Sequence, residues 1–89
     1  MNQKEANIQS FKEKLDSIHA WPSLYMFKFI VPVGKEEEIE QLFPKNEVKT
    51  KHSSQGNYIS LTAKLMINSS EEVINIYKKA NEVQGVIAL

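Results

Sequence analysis

Apolar residues recur along this chain with two different periods, and the period changes several times between its ends. In residues 3–18 the apolar positions lie three or four apart, while lysine, glutamate and glutamine fill most of the other positions. The apolar stripe consists of Ile8, Phe11, Leu15 and Ile18. This pattern predicts an N-terminal amphipathic helix. We expect the helix to end before Trp21-Pro22, because proline lacks a backbone donor and restricts the residue before it.

Residues 24–33 and 57–67 alternate in a way that indicates β-strands. In the first of these, Phe27 and Phe29 lie on the side opposite Lys28, and a lysine is rarely buried in a core. We therefore expect the phenylalanine side to face inward. The other side is also rather apolar, which indicates a central strand that another element partly covers. The inward positions of the second strand are Ile59, Leu61, Ala63, Leu65 and Ile67.

Shorter segments complete the predicted secondary structure. They are a helix over 35–43, a strand over 47–52, a helix that opens at residue 69 and runs to about residue 83, and a strand over 86–89. Ser69 and Glu72 have the spacing of a capping box, which marks the start of the later helix. The residues that these two helices bury are predicted to be Ile39, Leu42, Phe43, Val73, Ile74, Tyr77 and Ala80.

The order of elements after the first helix is β-α-β-β-α-β. With right-handed crossovers, this order predicts an α+β, ferredoxin-like sandwich, in which a four-stranded antiparallel sheet carries two helices on one face. We divide the chain into an N-terminal helical extension at residues 1–19 and a ferredoxin-like domain at residues 20–89.

Composition excludes several classes of function. The chain has no cysteine, which excludes thiolate metal sites, iron–sulfur sites and disulfides. All eleven basic residues are lysine, so the planar guanidinium fork that most phosphate and base recognition uses is missing. No apolar run approaches the ~20 residues that span a bilayer, and no signal sequence is recognisable. We expect a cytoplasmic protein with no membrane association.

The residues also lack the motifs for phosphate binding and metal binding that other proteins use. Gly34-Lys35 is followed by glutamates and lacks the upstream glycine of a phosphate-binding loop. The two histidines, His19 and His52, are far apart in sequence and have no acidic or histidine partner at helical spacing. The sequence therefore predicts no enzymatic activity, no cofactor and no metal.

The hairpin between the second and third strands, KTKHSSQGNYISL at residues 49–61, is the one candidate site. Its residues of interest are Lys49, Lys51, His52, Ser53, Ser54, Gly56 and Tyr58. A tight turn that needs a positive φ at glycine explains the tip, and lysines on an outer strand oppose edge-to-edge pairing. The alternative is that these side chains contact a partner protein or a small anion. Both interpretations stay open on the sequence alone.

Nucleic-acid binding is the second functional hypothesis, because RNA-recognition modules use the same fold and stack bases on aromatic residues of the open sheet face. Here that face offers one aromatic residue, Tyr58, because Phe27 and Phe29 are predicted to point inward. The net charge of zero also disfavours a dedicated nucleic-acid binder. We expect such binding to be weak at most.

Three segments of this chain resemble the YbeD-like family of small bacterial proteins of unknown function. They are WPSLYMFKFIVPVGK, SSQGNYISLTAKLMI and the closing VQGVIAL, and the resemblance covers roughly residues 20–89. It implies a ferredoxin-like fold close to the ACT regulatory domains, with no established catalytic residues. Together, these features predict a small regulatory or protein-interaction module that binds a protein partner or small ligand and forms a homodimer.

Overall fold

The computed structural model describes the backbone of residues 3–89 and the side chains of residues 7–89. Residues 1 and 2 of the expected N-terminal extension lie outside this description. The elements in chain order are α1 (Gln3–Ile18), β1 (Ser23–Pro32), α2 (Glu36–Glu40), β2 (Val48–His52), β3 (Tyr58–Ile67), α3 (Ser70–Ala80) and β4 (Ile87–Ala88). The strands form one antiparallel sheet in the order β2-β3-β1-β4. The prediction of a mixed α+β fold with a four-stranded antiparallel sheet is confirmed.

The sheet is built on β1 and β3, which pair over ten consecutive residues from Ser23↔Ile67 to Pro32↔Tyr58. On the inner side, Phe27 is 0% exposed and Leu61 is 1% exposed, so the predicted facing of both strands is correct. The other fully buried members of this layer are Phe29, Val31, Ile59, Ala63 and Ile67. Apart from the small Ala63, each of these side chains contributes roughly 1.5–3 kcal/mol by leaving water. This face supplies half of the buried apolar residues of the described core.

Both helices beyond β1 are shorter than predicted. Helix α2 ends at Glu40, but the chain continues in turns as far as Phe43, whose N–H donates to the Glu40 carbonyl. Phe43 is therefore buried as expected even though it lies outside the helix. In α3, the Ser69 hydroxyl accepts from the Glu72 N–H, as a capping residue does. The Glu72 carboxylate reaches back one residue further than in a capping box and accepts from the Asn68 N–H.

Helix α1 packs against α3, and it uses only part of its predicted apolar stripe. Leu15 is 4% exposed within the core, whereas Ile18 is 73% exposed. Phe11 lies beside the ring of Tyr77, with the ring centroids 5.8 Å apart. The N-terminal part of the stripe therefore packs against α3 and the core, while Ile18 at its end is left exposed.

Asp16 ties the end of α1 to the structure that follows. Its carboxylate accepts from Lys12 Nζ and from Trp21 Nε1, each at 2.9 Å. These bonds, first that from Lys12, then that from Trp21 and one from the Ser70 hydroxyl, lower the pKa of Asp16 to about 2. The carboxylate therefore joins the last turn of α1 to the segment between α1 and β1, and it lies near Ser70 at the start of α3.

A pair of substitutions on α1 measures how firmly the helix is held. We expect Leu15→Ala to lower the free energy of unfolding by about 2–5 kcal/mol, because it leaves a cavity in the core. Ile18→Ala, on the exposed side of the same helix, should change it by less than about 0.5 kcal/mol. Urea unfolding monitored by circular dichroism gives both values. Equal, small effects would mean that α1 does not pack on α3 in solution.

Acidification should reveal the contribution of Asp16. A carboxylate with a lowered folded-state pKa stabilises the fold above its unfolded pKa, near 3.8, and loses that effect as the pH falls towards about 2. We expect the stability of the wild type to fall more steeply than that of Asp16→Asn below about pH 5. Urea unfolding at a series of pH values measures the difference, and parallel curves would contradict the role given to this carboxylate.

Candidate functional site

The tip of the β2–β3 hairpin is held by its own hydrogen bonds. The Ser53 N–H donates to the Tyr58 carbonyl at 2.8 Å, and the Tyr58 N–H donates to Ser53 Oγ at 3.2 Å. The Gly56 N–H donates to the Ser53 carbonyl at 2.9 Å, which closes the turn, and Gly56 has the expected positive φ of 74°. Ser53 and Gly56 therefore have structural roles that require no ligand, while Ser54 is exposed beside them.

Strand alternation separates the other candidate residues. Lys51 pairs with Ser60 and points away from the helices, whereas His52 pairs with the buried Ile59 and belongs to the other side of the sheet. There His52 lies near Glu36. The pKa of the Glu36 carboxyl is lowered, chiefly by its own N–H and the Gly34 N–H, and to a smaller extent by His52. The histidine and the lysines consequently do not form one cluster of side chains.

A shallow depression at this end of the sheet still collects most of the candidates. It has a volume of about 320 Å³, and its lining residues are Ile30, Lys51, His52, Ser53, Ser54, Tyr58 and Ser60. Lys49 lies in a separate depression of about 260 Å³, together with Glu47, Thr62 and Lys64. The tip alone thus offers two small, open surfaces and no enclosed pocket among the described residues.

The larger feature is the whole sheet surface turned away from the helices, which we call the open sheet face. Its outward side chains are Leu24, Met26, Lys28, Ile30, Lys49, Lys51, Tyr58, Ser60, Thr62, Lys64, Met66 and Ile87. Leu24 is 59% exposed and its strand partner Met66 is 58% exposed. No described element covers these side chains, so the covering suggested by the apolar character of β1 is missing from residues 3–89.

Charge is unevenly divided between the two sides of the molecule. No residue of the four strands is acidic, and the four strand lysines, Lys28, Lys49, Lys51 and Lys64, are all exposed on the open sheet face. Glu47 lies just before β2, two residues from Lys49, and it lines the same depression as Lys49. The other acidic residues belong to the helices or directly follow α3. The open sheet face is therefore both apolar and cationic.

The open sheet face extends well beyond the hairpin tip, which was the only candidate site that the sequence indicated. The signal was available in the outward positions of β1 and β3, where Lys28 and Lys64 alternate with large apolar residues. What the pattern could not give is the cross-strand arrangement, which places Leu24 beside Met66 and Met26 beside Lys64.

Two kinds of feature are not found in the described part of the chain. Among the side chains of residues 7–89, no three histidine, aspartate or glutamate residues come together in a way that could hold a metal ion. The same residues contain no helix that is both long and apolar enough to cross a bilayer.

Comparison with known proteins identifies a family. A family model described as "Protein of unknown function (DUF493)" matches residues 16–89, from the last turn of α1 to the end of the sheet. No curated protein and no solved structure matches the chain.

Gly56 provides a test of the turn that shapes the hairpin tip. Gly56→Val should lower the free energy of unfolding by about 1–2 kcal/mol or more, because a β-branched residue is strained at positive φ. A Cβ atom at this position meets nothing within 4 Å, so the loss would come from the backbone and not from a clash. Gln55→Val, one residue earlier at a negative φ, is the matched control. Urea unfolding measures both, and equal stabilities would contradict this turn geometry.

Proposed function

This chain belongs to the DUF493 family, the YbeD-like proteins of unknown function, and we propose that it is a cytoplasmic, non-enzymatic interaction module. Its open sheet face would hold an acidic, apolar segment of a partner protein. The observation that carries this proposal is the combination of four exposed lysines with large exposed apolar side chains, on a sheet without an acidic residue.

The apolar part of the surface argues for a protein partner. Leu24, Met26 and Met66 are each more than half exposed, and they are adjacent because Leu24 pairs with Met66. Contiguous exposed apolar groups rimmed by polar residues are typical of interaction sites, and methionine is enriched there because its flexible side chain adapts to different shapes. Binding a partner would remove this apolar surface from water.

The lysines determine the sign of the partner's charge. Two ion pairs are formed among the described side chains, and neither involves a strand lysine. The four strand ammonium groups are therefore not paired with a described carboxylate. A surface of one sign attracts and orients partners of the opposite sign, and it repels like charge. For the same reason, two copies of the chain would not pair through their open sheet faces. The expected homodimer would use another surface.

An analogy with regulatory domains supports the proposal at the level of the fold. Strand β3 lies between β1 and β2, which α2 connects, as in the split β-α-β unit of ferredoxin-like folds. We propose that the fold is ferredoxin-like and close to the ACT domains, and the proposed regulatory role rests on that analogy.

Nucleic-acid binding remains the second candidate because lysines and an exposed Tyr58 share the open sheet face. Two observations weigh against it. Phe27 and Phe29, which would be needed as a stacking platform, are 0% and 1% exposed. The exposed apolar groups Leu24, Met26 and Met66 also have no use in contacts with phosphates.

Selection from a random dodecapeptide library on the immobilised protein would test the proposal. We expect wild-type protein to enrich peptides that combine aspartate or glutamate with large apolar residues. The double variant Lys28→Glu, Lys64→Glu should bind the most enriched peptide roughly tenfold more weakly or worse, because two attractive contacts become repulsive. Fluorescence anisotropy of the labelled peptide measures the affinities.

The control variant is Lys45→Glu, Lys79→Glu, which changes the net charge equally at exposed positions outside the sheet. It should bind the peptide as the wild type does. Enrichment of peptides without acidic residues, or an equal loss in both variants, would contradict the proposal. Tighter, strongly salt-dependent binding to single-stranded RNA would favour nucleic acid instead.

A further inference from the structure

The two edges of β1 are unequally paired. On one side, β3 accompanies all ten residues of the strand. On the other side, β4 pairs only with Phe29 and Ile30, and the Leu89 N–H donates to the Lys28 carbonyl at 2.9 Å. From Leu24 to Phe27, no strand among the described residues lies along this side. We call this stretch the β1 edge.

Alternation identifies which main-chain groups are left without a strand partner. In an antiparallel ladder, the N–H and C=O groups of every second residue face the same neighbour. Because the Lys28 carbonyl faces β4, the groups of Met26 and Leu24 point to the same side, beyond the end of β4. Among the described residues, the hydrogen bond that these groups receive is a long one, 3.5 Å, from the Ser23 hydroxyl to the Leu24 carbonyl. An edge of this kind is a template for a further strand.

Apolar surface borders the β1 edge on the open sheet face. Leu24 and Met26 are 59% and 53% exposed, and Met66 is their neighbour on β3. Side chains of an added strand that point to this face would lie against Leu24 and Met26. Acidic groups among them would come close to Lys28 and to Lys64, the partner of Met26.

A cleft lies next to β4 on the side of the sheet that carries the helices. Its volume is about 640 Å³, and it lies between α1, α3 and the end of β4, with Ile8, Phe11, Ile74, Tyr77 and Ala88 among its lining residues. Tyr77 connects it to the core below, because its ring is 5.3 Å from that of Phe27 and its hydroxyl is 3.2 Å from that of Tyr25. Burial raises the pKa of Tyr77, so the side chain stays neutral. The cleft is mostly apolar and large enough for two or three side chains.

From these features we infer that the β1 edge binds the partner segment as an added β-strand, in line with β4. The inference rests on the proposed function, whose acidic, apolar segment it places and orients. The main chain of the segment pairs with Leu24 and Met26, alternate side chains enter the cleft, and the others lie on the open sheet face. Strand addition of this type obtains affinity from main-chain hydrogen bonds and specificity from alternate side chains.

The sharpest test modifies the backbone of the bound peptide. The probe is the most enriched dodecapeptide from the library selection, synthesised in two forms that carry N-methyl groups on alternate amides, in either of the two registers. A strand directs only one alternate set of N–H groups to the β1 edge. We expect one form to bind at least about tenfold more weakly and the other to bind within about twofold of the parent.

Two variants test the protein side. Met26→Pro removes the N–H that points away from β3, so the β1–β3 ladder is retained, and peptide binding should fall about tenfold or more. Met26→Ala keeps the N–H and removes most of the side chain, and it should bind more tightly than Met26→Pro. Circular dichroism checks that both variants are folded. If Met26→Pro does not fold, the two methylated peptides decide the question on wild-type protein.

The outcomes separate this inference from the proposed function. Equal affinities of the two methylated peptides, combined with a loss of binding in Lys28→Glu, Lys64→Glu, would overturn strand addition and leave the open sheet face as the binding site. Failure of the library to enrich any peptide would contradict both. A wild type that sediments as a dimer, together with a monomeric Met26→Pro, would identify a second copy of the chain as the occupant and also overturn the inference.

Discussion

The ten-residue pairing of β1 with β3 is the constraint on which the rest of the structure depends. It places Phe27 beside Ala63 and Phe29 beside Leu61, so the same register builds the core of the sheet from both strands. A shift of one residue would exchange the faces, bury Lys28 and expose Phe27. Because side chains alternate, the register that fixes the core also fixes every position on the open sheet face.

This pairing also separates the charges of the protein. Inward positions of the strands are apolar, so the strand lysines are all on the open sheet face, while the helices carry most of the acidic residues. The net charge of zero is thus the sum of a cationic face and an acidic side. A composition that looks neutral therefore conceals a cationic surface, and the proposed preference for acidic partners rests on it. Lysine ammonium groups act as point charges, so this preference concerns charge more than geometry.

The open sheet face is a better candidate site than the hairpin tip, because the residues of the tip already have structural roles. Ser53 and Gly56 are occupied with the hydrogen bonds and the backbone geometry of the turn. Their polar character is explained without a partner. The exposed apolar groups Leu24, Met26 and Met66 have no comparable structural explanation, since each would be more favourably placed out of water. Surface that the fold itself does not need is the better candidate for function.

Local patterns in the sequence predicted the elements and the facing of their side chains. Phe27 against Lys28 settled the inner side of β1, Gly56 marked the turn, and Ser69 marked the start of α3. The family resemblance is also confirmed. These features depend on residues a few positions apart, where period, capping and turn chemistry act directly. The separation of His52 from Lys51 follows from the same alternation and was predictable.

Contacts between distant parts of the chain were decided only by the tertiary structure. No local pattern indicates that Asp16 accepts a hydrogen bond from Trp21, or that Leu15 enters the core while Ile18 of the same stripe stays exposed. Nor does the sequence of β1 indicate that β4 accompanies it for only two residues, so that no described strand pairs with the β1 edge. Hydrophobic period specifies which side of an element is buried, but which element covers it, and over what length, depends on how all of them pack together.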